Sequence, residues 1–285
     1  MKNAISFLIM VVAALCIAPS SASAQQKEPE RTGGPFVPTP QVVVDEMLRM
    51  ASVGPKDFVV DLGSGDGVIV LAAVSKLKAS GYGVDIDPAL VQYANGEAKR
   101  LGIADRASFR VQDVFKADLS RASVITLYLL PSMMLNLRHK LLSEARPGTR
   151  VVSHDYNFDD WSPDEQIVLD VPEKEKVNGV PKATISLWIV PARVHGKWQI
   201  EVDSGERYAL SLRQHYQAIS GSVQASAKTL KLTSAKLRGE EVAFTLLDGT
   251  TRRAFNGVVS SDGMQGTVSL APGRSARWTG RRTEQ

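Results

Sequence analysis

The chain has 285 residues, 44% of them hydrophobic and 22% charged, with a formal net charge of +4 and one cysteine. At ~100–200 residues per domain, this length makes one large domain or two ordinary ones. The mixture excludes a disordered chain, a collagen-like repeat, a disulfide-stapled miniprotein and a multi-span membrane protein.

In chain order, Met1-Lys2-Asn3 is a short positive start, and Ala4 to Ala18 is apolar apart from Ser6. Pro19 to Ser23 then leads to the small-residue run Ala22-Ser23-Ala24. This pattern predicts a secretory signal peptide over residues 1–24, cleaved after Ala24, and export to a periplasmic location. The apolar run is too short for the ~20 residues of a spanning helix. Leu15 does not suit lipoprotein processing at Cys16. Cleavage would remove Cys16, the single cysteine, and with it thiol catalysis, thiolate metal sites and disulfides. Residues 25–38, polar and rich in Pro and Gly, read as a linker with little structure.

From Thr39 to Asp203, strand-like and helix-like runs alternate. Thr39-Pro40 reads as a helix start with Thr39 as cap and Pro40 at the first helical position. Val43, Val44, Met47, Leu48 and Ala51 mark one helical face. Strands are predicted at Phe58–Leu62, Tyr82–Ile86, Ser108–Gln112, Ser123–Leu130 and Thr149–His154. Helices are predicted at Val68–Ala79, from Pro88 to about Leu101, and at Ser132–Leu142. Such alternation implies a mostly parallel, Rossmann-like α/β sheet. Thr184–Val190 and Trp198–Val202, joined around His195-Gly196, read as an antiparallel hairpin closing that sheet, so the domain spans 39–203. Over 204–285 the helix pattern vanishes, and short strand-like runs punctuated by Gly predict a small all-β sandwich or barrel. The charge divides at the same place. Residues 204–285 carry 12 Lys and Arg against 6 Asp and Glu, while residues 25–203 carry 21 against 24.

The chemistry gathers at strand tips. Val59-Val60-Asp61-Leu62-Gly63-Ser64-Gly65-Asp66-Gly67 runs from a buried strand through a Gly-rich turn into a helix, and glycines there let a ligand approach the backbone. The next strand ends in Gly83-Val84-Asp85-Ile86-Asp87-Pro88. At that tip a carboxylate can accept hydrogen bonds from ribose hydroxyls. Asp85 is the ribose candidate and Asp87 the helix cap. Gln112-Asp113 follows the third strand, where Asp113 can reach an adenine amino group. A dinucleotide site uses G-x-G-x-x-G, whereas this loop is G-x-G-x-G with Asp61 before it and Asp66 within it. Those charges oppose a pyrophosphate and tolerate a ligand bearing an ammonium and a sulfonium. They favour S-adenosylmethionine (SAM) over NAD. A P-loop is disfavoured because its Lys-Ser/Thr ending is missing.

Together, Val60 to Gly67, Gly83 to Pro88 and Gln112-Asp113-Val114 resemble the class I SAM-dependent methyltransferases. Val37-Pro38-Thr39-Pro40 and Leu127-Tyr128-Leu129-Leu130-Pro131 extend the resemblance to one branch. That branch is the small lysine methyltransferases typified by the mitochondrial ATP synthase c-subunit enzymes, with bacterial relatives. The resemblance covers roughly residues 36–160. It implies a cofactor site of Thr39, Asp61, Gly63, Ser64, Gly65, Asp85 and Asp113, with Gly63 and Gly65 against the methionyl part of SAM. It implies transfer of a methyl group to a protein or small-molecule acceptor, a protein lysine amine being the favoured form.

Tyr128 is the candidate to face the transferred methyl, with Pro131 shaping the wall. His154 and Asp155, at the next strand tip, are the candidate base or substrate contact. Met133-Met134-Leu135 reads as helix packing. The remaining histidines do not space as metal ligands, so no metal is predicted. The basic C-terminal domain suits an acidic partner or an anionic membrane surface. Its few interleaved aromatics give no support for nucleic-acid binding. The competing reading of the whole chain is an exported, non-catalytic nucleotide-binding module.

Overall fold

Pro40 sets where the first element begins. In the computed structural model, which describes residues 34–284 apart from Ala227 and Asp262, helix α1 is Gln41–Met50. Pro40 stays extended (φ −57°, ψ 142°) as the N-cap residue, and its carbonyl accepts from the N–H groups of Val43 and Val44. The cap expected from Thr39 is therefore corrected: no side chain caps α1. A residue before proline is steered away from helical backbone, so the helix starts later. The predicted signal peptide and most of the predicted linker lie outside the described residues.

The elements that follow are β1 (Phe58–Leu62), α2 (Val68–Leu77), β2 (Ser80–Asp85), α3 (Pro88–Arg100), β3 (Ala107–Val111), β4 (Val124–Leu127), α4 (Pro131–Glu144) and β5 (Arg150–His154). After them come β6 (Glu165–Asp170), the short α5 (Glu175–Asn178) and β7 (Lys182–Ile189). They build a seven-stranded sheet in the order β3-β2-β1-β4-β5-β7-β6. The first five strands of that order are parallel, and β7 runs antiparallel to both β5 and β6. Alternation sorts the side chains of β1 onto two faces. Val59 packs with α1, α2 and α3, while Val60 and Leu62 pack with α4 on the other side. The strand order reverses at β1, flanked by β2 and β4. Ligands of open α/β sheets bind in the crevice at the carboxyl ends of such strands.

The remaining strands are β8 (Gly196–Val202), β9 (Arg207–His215), β10 (Ala218–Ala225), β11 (Lys228–Arg238), β12 (Glu241–Asp248), β13 (Thr251–Val259), β14 (Met264–Ala271) and β15 (Arg274–Glu284). They close into an antiparallel barrel. Eight strands leave an interior just wide enough for side chains to fill. Trp198, Phe244, Phe255 and Trp278 are buried together there. The barrel corrects one expectation. Trp198–Val202 does not close the sheet but pairs with β9 and β15, and the sheet's closing hairpin is β6–β7. Alternating Trp198, Ile200 and Val202 announce a strand with one buried face, and that pattern cannot say which core receives it.

Sheet and barrel meet through specific contacts. The Ala192 N–H donates to the Gly239 carbonyl at 2.8 Å, and Trp161 Nε1 donates to Gln217 Oε1 at 2.9 Å. Gln217 Nε2 returns a bond to the Ser162 carbonyl at 2.7 Å.

Candidate active site

The turn after β1 is built for close approach. Gly63 and Gly65 sit at φ +84° and +52°, in the left-handed region that a side chain disfavours. The N–H groups of Gly63 and Ser64 both donate to the Val84 carbonyl at 2.9 Å, tying the turn to β2. Gly65 N–H donates to Asp85 Oδ2 at 2.8 Å, and Asp87 N–H donates to Asp85 Oδ1 at 2.9 Å. Asp85 thus faces the crevice at a fixed angle, with acceptor capacity left on both oxygens. Two such oxygens match the two hydroxyls of a ribose. Asp87 accepts from Ala89 N–H and caps α3, which separates the two acids as the sequence suggests.

Asp61, one residue before the end of β1, is only 2% exposed and accepts a hydrogen bond from Thr126 Oγ1 at 2.6 Å. Burial pushes its carboxyl up to about 7, the Thr126 hydroxyl opposes that rise, and Asp85 and Asp66 add to it. Ser64 Oγ is buried and has no hydrogen-bond partner among the described residues. Asp113 accepts from Phe115 N–H and so caps the 3-10 turn Val114–Lys116, while still lining the crevice.

These groups wall a cavity of about 260 Å³, which Thr39, Tyr128, Met133 and Tyr156 also line. Met133 and Met134 both fulfil the helix-packing expectation in the core under α4, Met133 also reaching the cavity wall, whereas Leu135 departs from it and is 40% exposed. Residues 34–37, in the described part of the expected linker, have no helix or strand of their own and also line the wall. Phe36 lies across the glycine turn so closely that a Cβ on Gly65 would come within 2.4 Å of its ring. An aromatic ring covering apolar backbone gives this segment a place.

Tyr128 follows β4, and its ring lies 4.0 Å from that of His154 between centroids. Burial, reinforced by Asp155 and Tyr156, pushes the Tyr128 phenol up to about 12, so it keeps its proton. His154 closes β5 fully buried. Burial pushes its pKa down to about 4, Asp155 acting against the fall and Lys174 with it. Lys174 Nζ lies 3.1 Å from His154 Nε2 and 2.5 Å from Asp155 Oδ2. Asp155 Oδ1 accepts from Thr184 N–H at 3.1 Å. The structure thus brings Tyr128 and His154 to cavity walls, while the Asp155 carboxylate is engaged by Lys174 and Thr184.

Sequence reasoning missed Phe36, Tyr156, Glu173 and Lys174. Tyr156 carries a faint signal, an aromatic just past a strand tip. Lys174 carries none, being one lysine in a mixed-charge run.

The donor set fits SAM. Asp61, Asp66 and Asp85 converge on a cavity with no lysine or arginine among its described wall residues. An ammonium and a sulfonium would relieve that imbalance, and a pyrophosphate would worsen it. Ser64 Oγ offers a further polar contact.

Comparison with known proteins agrees. The model of the ANTKMT methyltransferase domain matches residues 61–165. A protein-lysine N-methyltransferase of Saccharolobus islandicus is 39% identical over 48% of this chain and 85% of its own length. The human ATP synthase c-subunit lysine N-methyltransferase is 36% identical over 46% of this chain and 55% of its own length. Among solved structures, an RNA methyltransferase from Salinibacter ruber in complex with S-adenosyl-L-homocysteine is 44% identical, with a TM-score of 0.51. That match covers 55% of this chain and 96% of the other. A crevice at the sheet's switch point whose charged wall residues are all acidic, together with relatives of this identity, leads to one conclusion: the chain belongs to the class I SAM-dependent methyltransferases.

Proposed function

We propose that this methyltransferase modifies the side-chain amine of a protein lysine. The observation that carries the reading is the partition at Tyr128: one ring borders both the acidic crevice and a second cavity open to an acceptor. Bound SAM supplies a methyl group on a sulfonium, an intrinsically good leaving group. What remains for the chain is to orient, to exclude water and to admit a neutral nucleophile. Asp85 and Asp61 would hold the two ends of the cofactor, and Tyr128 and Met133 would border the path by which its methyl group, in place of the carbon–sulfur bond, reaches the acceptor nitrogen.

The acceptor must first lose a proton. Tyr128 retains its own, and Lys174 occupies both Asp155 Oδ2 and His154 Nε2. The proton therefore leaves to solvent, and the rate should climb from pH 7 to 9 without the plateau of a protein base. The names of the archaeal and human relatives support a lysine acceptor. The Salinibacter relative is called an RNA methyltransferase, which speaks for RNA. The acidic wall disfavours a polyanion beside it. On the pattern of residues 1–24 we place the enzyme outside the cytoplasm, with the basic barrel available to an acidic partner or membrane surface.

Methyl transfer from labelled SAM to envelope extract, read by mass spectrometry, tests the reading. Label on lysine supports it, and label confined to RNA or to small molecules overturns it.

A further inference from the structure

Behind Tyr128 lies a second cavity of about 260 Å³. It shares Val37, Thr39 and Tyr128 with the cofactor crevice, so the Tyr128 ring is a common partition. Val37, Pro38 and Pro40 give it an apolar side, and His154, Glu173 and Lys174 a polar one. Glu173 and Lys174 lie beyond residue 165, where the match to the family model ends.

The polar side is internally fixed. The Lys174 ammonium donates to Asp155 Oδ2 and to His154 Nε2. A donor at Nε2 requires the neutral ring to carry its proton on Nδ1. That Nδ1 is buried without a partner among the described residues, although His154 lines the cavity. An unpaired buried N–H is costly until a water carried in with an entering cation accepts from it. The charge of Lys174 is already balanced by Asp155, which leaves the exposed Glu173 carboxylate as the attraction for a cation.

We infer that this second cavity is the acceptor entrance and that it selects an unbranched alkyl ammonium. The methylene stem lies along Val37, Pro38 and Pro40, and Glu173 recruits the charge at the rim. Lys174 acts as a positioning residue, holding His154 neutral beneath the partition. The inference rests on the lysine reading above and names how its acceptor arrives.

The test uses the full chain saturated with S-adenosylhomocysteine, so that no turnover occurs, and n-butylamine as the probe. Ring-nitrogen NMR of ¹⁵N-labelled histidine reports on His154. The amine should shift the His154 signals in the parent, and Glu173→Lys should weaken its binding about tenfold. Glu173→Asp should restore the affinity, and SAM affinity should stay the same in all three proteins. An unmoved His154, or equal binding by Glu173→Lys, overturns the entrance. If the amine binds as expected while no protein lysine is methylated, the lysine reading falls and the entrance stands for another alkyl amine.

Discussion

The sheet and the barrel are both built from alternating strands, yet they use alternation to opposite ends. In the barrel the inward positions fill the interior. Phe244 and Phe255 stack at 4.8 Å, and Trp278 meets Phe255 at 5.6 Å, all three nearly inaccessible. In the sheet Asp61, Asp85, Tyr128 and His154 sit at or beside the last residues of their strands, leaving polar side chains around open volume. Both buried side-chain atoms without a partner among the described residues, Ser64 Oγ and His154 Nδ1, belong to the sheet. Complete packing stabilises the barrel, and incomplete satisfaction marks the sheet as the place for chemistry. The charge follows the same division, with 13 Lys and Arg against 8 Asp and Glu over 196–285 and 20 against 22 over 25–195.

The largest effect expected is on the filled side. Trp278→Ala removes a ring that is 1% exposed and whose Nε1 donates to the Thr267 carbonyl at 3.1 Å. It should cost ~3–5 kcal/mol in urea unfolding. SAM affinity of the folded fraction should stay within about twofold, and a collapse of that affinity would break the division between the two regions.

Asp61→Asn probes the unsatisfied side. The folded carboxyl titrates at about 7 against an ordinary value of 3.8, so the folded state holds a proton that the unfolded chain has released. This group's contribution to stability therefore falls as pH rises from about 4 to 7 and is level above that. Asn imitates the protonated acid and removes the slope. The variant should match the parent near pH 4 and exceed it at pH 8, by something on the order of a few kcal/mol without ligand. Its SAM affinity should drop, because the ligand's ammonium loses a counter-charge. Thermal melts across pH check the first part, and parallel slopes would contradict it.

The strand-tip site is legible in the sequence because its residues are contiguous. Asp61 to Gly67 and Gly83 to Pro88 each carry their glycines and acids within one turn. Two other features are not. Glu165–Asp170 is an exposed edge strand whose contiguous Ile167-Val168-Leu169 shows no alternation, and Trp198–Val202 is the next run whose pattern offers Thr184–Val190 a hairpin partner. Phe36 reaches the site from an irregular segment and Lys174 from the short 3-10 helix Pro172–Lys174, where only tertiary folding decides what a side chain touches.

Tyr128→Phe should have a smaller effect. The phenol keeps its proton up to about 12, so losing the hydroxyl should lower turnover less than about tenfold and leave the pH–rate profile between pH 6 and 9 unchanged in shape. A changed profile would mean that Tyr128 moves a proton. The smallest effect is at the junction. Arg138 donates to the Phe158 carbonyl at 3.0 Å and pairs with Asp160, which accepts from Tyr216 Oη. Asp160 is exposed, so Arg138→Ala should cost only ~0–1 kcal/mol in a melt. A larger loss would show that the barrel braces the sheet.

The central claim is that Asp85 and the glycine turn hold SAM at the sheet's switch point. Calorimetric titration of SAM into residues 25–285, run beside Asp85→Ala, tests it most directly. The parent should bind SAM saturably and one-to-one, and the variant at least about a hundredfold more weakly, the loss of two charge-assisted hydrogen bonds. Equal affinity in the two proteins would contradict it.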